Sequence, residues 1–141
     1  MARCVALWGA LLLTASMAVA AGRPAANRAK LIAHGKYLVT HVAMCGDCHS
    51  PRNERGEEIP GRELQGTVLG FQPLHPVPGW AAAAPPIAGL EGWTERQAVH
   101  FLMTGLDRSN KHPAPPMPPY RLSAHDEAAI VAYLKSLPPA K

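Results

Sequence analysis

Met44-Cys45-Gly46-Asp47-Cys48-His49 is the stretch on which the reading of this chain turns. Two cysteines three residues apart, followed at once by a histidine, form the attachment pattern for haem c. The spacing has a chemical reason. Each thiol can add across one of two vinyl groups on the same porphyrin edge, and a turn-sized separation brings both sulfurs to that edge. His49 then falls beneath the ring, where an imidazole nitrogen reaches the iron as proximal ligand. Cys45, Cys48 and His49 are therefore expected to bind the cofactor, with His49 also a metal ligand.

Three other readings of the same residues compete. A zinc site needs four ligands of the Cys and His type; Cys4 is the only other cysteine, and His75, His100 and His112 show no metal-ligand spacing. A thioredoxin-like pair belongs beside a βαβ pattern, which this chain lacks. A structural disulfide is the usual fate of two exported cysteines, and the histidine directly after them argues against it here.

Upstream, Leu31, Leu38 and Val42 recur at helical spacing beside Ile32 and Val39, which predicts a helix from about Arg28 to Val42 with one apolar face. Gly35 sits on that face. A glycine inside a helix costs about 1 kcal/mol relative to alanine, so its use there is to let another backbone or a large ring approach closely. Ala21 to Asn27 reads as a polar lead-in. Before it, Arg3, an apolar run from Val5 to Leu13 and small residues at Ala18 and Ala20 make the pattern of a secretory leader over residues 1–20, cut after Ala20. The segment is short for a membrane span. These boundaries leave 28–141 as a single haem domain, and export places it in the periplasm.

Downstream, Ser50 to Gly92 has no sustained period and is punctuated by Pro60, Pro73, Pro76, Pro78, Pro85 and Pro86, which predicts irregular loop. So long a loop in a compact domain needs something besides secondary structure to pack against, and a large flat cofactor would serve. Thr94 with Gln97 is a capping-box pattern that opens a short helix closed by Gly105. Ser123 with Asp126 opens the last helix, where Ile130, Tyr133, Leu134 and Leu137 keep helical spacing until Pro138. No strand is expected.

The sixth iron position separates an electron carrier from a catalyst, because a methionine sulfur closes the iron to substrates and raises its potential. Met117 is the expected ligand: in Pro115-Pro116-Met117-Pro118-Pro119 the prolines restrict the backbone on both sides and fix a thioether at low entropic cost. Met103 reads as core packing, and Met44 adjoins the attachment motif on the wrong side. Trp80 and Trp93 read as packing residues that could also meet a haem edge or a propionate. Arg52, Arg55 and Arg62 are propionate partners or solvated surface. His34, His41, His75, His100, His112 and His125 read as surface or packing residues.

The order of helix, attachment motif, loop, short helix, methionine in a proline-rich loop and terminal helix resembles class I cytochrome c over Arg28 to Leu137. That resemblance implies an all-α fold of about three to five helices around one covalently bound haem c and its iron, with long loops. It also implies a crossing of first and last helices at a glycine and an aromatic ring, positions held here by Gly35 and Tyr133. More narrowly, the run from Cys45 to Asn53, with Gly92-Trp93 and Pro116-Met117-Pro118, resembles cytochrome modules of periplasmic alcohol and aldehyde dehydrogenases.

Motif and resemblance together imply an electron-transfer protein, not an enzyme, that takes electrons from a dehydrogenase and passes them toward a cytochrome or oxidase. The alternative is a haem enzyme or gas sensor with an open distal site. A formal charge of +4, of which Arg3 in the leader supplies one, suits an acidic protein partner and is too weak to imply nucleic acid. Membrane association is expected only through a complex.

Overall fold

The computed structural model describes residues 11–140, with side chains from residue 24 onward. The first ten residues, which hold most of the leader's apolar run, lie outside the described residues. The chain divides between Lys30 and Leu31 into two units, each described by itself.

The first unit is helical backbone. Helix α1 runs Leu11–Tyr37, so it begins well before the expected start at Arg28, and the polar lead-in from Ala21 to Asn27 is part of it. Alanine explains this: it has the highest helix propensity, and the stretch holds Ala21, Ala25 and Ala26. Pro24 stands inside the helix, and residues 24–30 are exposed. No described helix is long and apolar enough to cross a membrane.

The second unit starts with the end of α1, whose expected limit at Val42 is met in an altered form. From Leu38 to Val42 the helix widens into a π-turn, with the Ala43 amide donating to the Leu38 carbonyl at 2.7 Å. Met44 then adopts a left-handed backbone, φ 46°, which turns the chain into helix α2, Gly46–His49. The long loop comes next. It contains one small regular feature that has no signal in the sequence, an antiparallel pair of two-residue strands, β1 (Thr67–Val68) and β2 (Ala83–Ala84), with Thr67 opposite Ala84. A 3-10 turn spans Ala88–Leu90.

Helix α3, Glu95–Thr104, has the expected ends: the Thr94 hydroxyl accepts from the Gln97 amide, the Gln97 side chain accepts from the Thr94 amide, and Gly105 closes the helix at φ 69°. Helix α4, Ala124–Ser136, opens on Ser123, whose hydroxyl accepts from the Asp126 amide. It ends two residues before Pro138.

Leu38, Val39, Leu64, Ala88, Ala129, Ile130 and Leu134 form the buried core, with Leu31, Leu102, Leu122 and Tyr133 packed against it. Gly35 lies where α1 meets α4. A Cβ built there would fall on the Ala129 carbonyl oxygen and 2.9 Å from the Tyr133 Cβ, so only glycine allows these backbones to approach. The expected pairing of Gly35 with Tyr133 is thus met by the structure. Helices dominate and strand is minimal, an all-α fold of the expected class.

Candidate cofactor site

Helix α2 is a single turn, and it carries the attachment motif. Its register is set from inside: the His49 amide donates to the Cys45 carbonyl at 2.9 Å, and the Ser50 amide to the Gly46 carbonyl at 2.9 Å. Cys45 and Cys48 are free, half-buried thiols rather than a disulfide. The turn is tied to the loop beyond it through Ser50, which is buried and whose hydroxyl accepts from the Leu64 amide at 3.0 Å. The His49 carbonyl also accepts from the Gly66 amide at 2.7 Å.

His49 is 7 % exposed, and its Nδ1 lies 2.7 Å from the Pro85 carbonyl oxygen. A carbonyl only accepts, so Nδ1 carries the proton and Nε2 keeps its lone pair. Burial holds the imidazole below its ordinary value, against the opposing pull of that same carbonyl. A neutral, oriented imidazole with a free Nε2 is the donor an iron requires.

Met117 is half-buried and lines a cavity of about 280 Å³ with Phe101, Leu102 and Tyr120. Its loop is held from outside. The Ala81 amide donates to the Pro115 carbonyl at 2.7 Å, and the Tyr120 hydroxyl donates to the Ala43 carbonyl at 3.3 Å. Burial raises the Cys45 thiol above its ordinary value, partly offset by the neighbouring Tyr120 hydroxyl; burial raises the phenol as well. Tyr120 therefore joins the methionine loop to the attachment turn. Sequence reasoning missed it, and the only signal was its place three residues after Met117.

The remaining candidates sort by their partners. Trp80 has a buried indole Nε1 with no hydrogen-bond partner among the described residues, although such groups normally find one. Trp93 packs on Phe101 and lies under the Arg108 guanidinium, 4.8 Å from the ring centroid. Arg52 is engaged locally with Asp47 at 2.8 Å and the Gly56 carbonyl at 2.7 Å. Lys135 donates to the Leu90 carbonyl at 3.1 Å.

These observations test whether a haem suits the residues present. Two free thiols one turn apart, a neutral imidazole with its far nitrogen fixed, a loop thioether beside a cavity, and an orphaned buried N–H are the donors such a group would use. They fit. The family model described as Cytochrome c matches residues 32–138. The chain belongs to the cytochrome c family. It is an electron-transfer haem protein whose cofactor is covalently bound haem c with its iron, and its fold is the class I cytochrome c fold.

Relatives sharpen the family. The chain is 30 % identical over 112 residues to the fructose dehydrogenase cytochrome subunit of Gluconobacter japonicus, covering 74 % of this chain and 21 % of that protein. It is 32 % identical over 124 residues to the cytochrome c subunit of the quinone alcohol dehydrogenase of Gluconacetobacter polyoxogenes, covering 82 % and 26 %. With the gluconate 2-dehydrogenase cytochrome c subunit of Pantoea cypripedii it shares 32 % identity over 138 residues, 84 % of this chain and 29 % of that protein. The chain thus spans less than a third of the length of these curated relatives.

Proposed function

We propose that Cys45 and Cys48 hold the haem of this cytochrome through two thioether bonds, that His49 Nε2 and the Met117 sulfur are its axial ligands, and that the protein carries electrons from a dehydrogenase toward a respiratory acceptor. The bound haem supplies one-electron chemistry between the ferrous and ferric states. The protein's part is position and potential. Pro85 keeps the His49 ring in one tautomer and orientation. The proline-bounded loop presents the Met117 thioether, a ligand that raises potential and favours the ferrous form. Trp80 Nε1 would serve a propionate. The single observation that carries the reading is the His49 geometry: a buried neutral imidazole, its Nδ1 committed to Pro85, directly after two free thiols.

The relatives named as cytochrome subunits of dehydrogenases support a dehydrogenase as the electron donor. A weak, electrostatically assisted encounter suits a free carrier, and a fixed subunit would need a larger interface. Secretion to the periplasm rests on the leader pattern in residues 1–20 and on Pro24. Cleavage after Ala20 leaves Pro24 in the first turn of the remaining helix, where a missing N–H costs nothing. Intact mass of the purified protein tests this, with Ala21 expected as its first residue; a mass that includes residues 1–20 would refute cleavage.

The decisive experiment is the visible spectrum of the oxidised, reduced and carbon monoxide-treated protein. A ferric charge-transfer band from iron and methionine sulfur, with no carbon monoxide shift, is expected. Ready carbon monoxide binding without that band would favour an open distal site and a haem enzyme or sensor.

A further inference from the structure

Away from the attachment turn, His34, His125 and Asp126 bring three donor atoms within 4.8 Å of one another. His34 belongs to α1, and the other two open α4. His34 Nε2 lies 2.6 Å from Asp126 Oδ1, and His125 Nδ1 lies 3.8 Å from the same oxygen. The two imidazole rings are 5.6 Å apart between centroids. The second carboxylate oxygen, Oδ2, accepts from the Ser123 hydroxyl at 2.8 Å. The carboxylate is therefore oriented by a residue outside the trio and offers its other oxygen toward both rings.

We propose that His34, His125 and Asp126 form a second metal site, for a late first-row divalent ion of the Zn²⁺ or Cu²⁺ class, which clips α1 to α4. Two imidazoles and one carboxylate select such ions, whereas Mg²⁺ and Ca²⁺ take oxygen ligands. Ligand bonds of about 2.0 to 2.2 Å place tetrahedral donors roughly 3.3 Å apart, and the present separations straddle that value. A rotamer change of His125, whose side chain is 72 % exposed, closes its part of the gap, and His34 Nε2 and Asp126 Oδ1 must part by under about 1 Å to admit the ion. The same exposure gives an entry path and leaves the fourth position to water. The Ser123 contact is the kind of outer hydrogen bond that orients a ligating carboxylate.

The position gives the site a consequence for the fold. His34 adjoins Gly35, whose contact with Ala129 marks the crossing of the first and last helices, and Asp126 lies 92 residues further along the chain. An ion bound there joins the two ends of the haem domain and stabilises the folded state by linkage. No haem-site residue takes part, so failure of one reading leaves the other standing.

The test is a calorimetric titration of chelator-treated haem protein with Zn²⁺, together with thermal unfolding with and without the ion. One Zn²⁺ per chain and a raised Tm are expected. His125→Ala, at an exposed position, should weaken binding by at least about tenfold, the scale on which even outer-shell partners act. Its haem spectrum should match that of the parent, which separates a lost site from a lost fold. Cu²⁺ in place of Zn²⁺ should give an electron paramagnetic resonance signal with two nitrogen couplings, one of which disappears in His125→Ala. Absence of binding, or binding that survives in both His125→Ala and His34→Ala, would overturn the proposal.

Discussion

The attachment turn and the methionine loop are built on different principles, although both are assigned to one iron. The turn is largely local: Cys45, Cys48 and His49 lie on one turn of helix, whose own backbone bonds run from Cys45 to Ser50 and are supplemented by bonds from the Cys45 amide to Val39 and from the Gly66 amide to His49. The loop is placed from elsewhere, through Ala81 on one side of Met117 and Ala43 on the other. A local device works or fails as a unit. A device placed by long-range contacts loosens by degrees, because loops held by few bonds open at low free-energy cost.

The sharpest way to break that contrast is to remove the turn's chemistry. Cys45→Ala combined with Cys48→Ala should abolish covalent haem entirely, read as loss of haem staining on a denaturing gel. Haem that survives denaturation in this variant would refute the attachment. Met117→Ala should behave differently, with haem retained, carbon monoxide admitted to the iron and the potential lowered by on the order of 100 mV, within the ~0.8 V that axial ligation spans. Unchanged carbon monoxide binding and potential would remove Met117 from the iron.

A third substitution addresses what holds the turn's supporting helix in place. Gly35→Ala drives a Cβ into the Ala129 carbonyl, and overpacking of this kind costs about 1–3 kcal/mol. A matching drop in the denaturation midpoint is expected, with the haem spectrum of the surviving folded fraction unaltered. A stability equal to that of the parent would mean that the helices can part at this crossing without loss.

Locality also decides how much could be read from the chain. The CxxCH spacing, the Thr94–Gln97 capping box, the Ser123 cap and the Gly35–Tyr133 pair were legible because each is a short-range pattern or a position in a familiar order. The early start of α1 was not, because polar residues at Arg23, Asn27 and Arg28 masked a strong alanine propensity. The π-turn at Leu38–Val42 and the left-handed Met44 were hidden too, since neither uses the glycine or proline that normally marks such backbone. Neither the Pro85 carbonyl on His49 nor the Tyr120 bridge has a sequence signature. Backbone carbonyls look alike in every sequence, and a tyrosine after a proline run declares no partner.

Tyr120→Phe makes the smallest change and bears most directly on how the two regions are joined. The ring stays, so packing beside the cavity is retained, while the hydroxyl's bond to the Ala43 carbonyl is lost. Such a bond contributes about 0.5–1.5 kcal/mol, and little of that should reach the turn, which closes on its own backbone bonds. Haem attachment should therefore be unaffected. The loss should fall on the loop, with the methionine charge-transfer band kept in ferric protein and slow carbon monoxide binding appearing in the reduced protein, where the parent shows none. Stopped-flow mixing of the reduced variant with carbon monoxide checks it. If the variant stays as closed as the parent, the loop is governed by the Ala81–Pro115 bond, and Tyr120 serves only to pack the cavity wall. If attachment itself suffers, the turn depends on the loop, and the contrast between a self-contained turn and an externally placed loop fails.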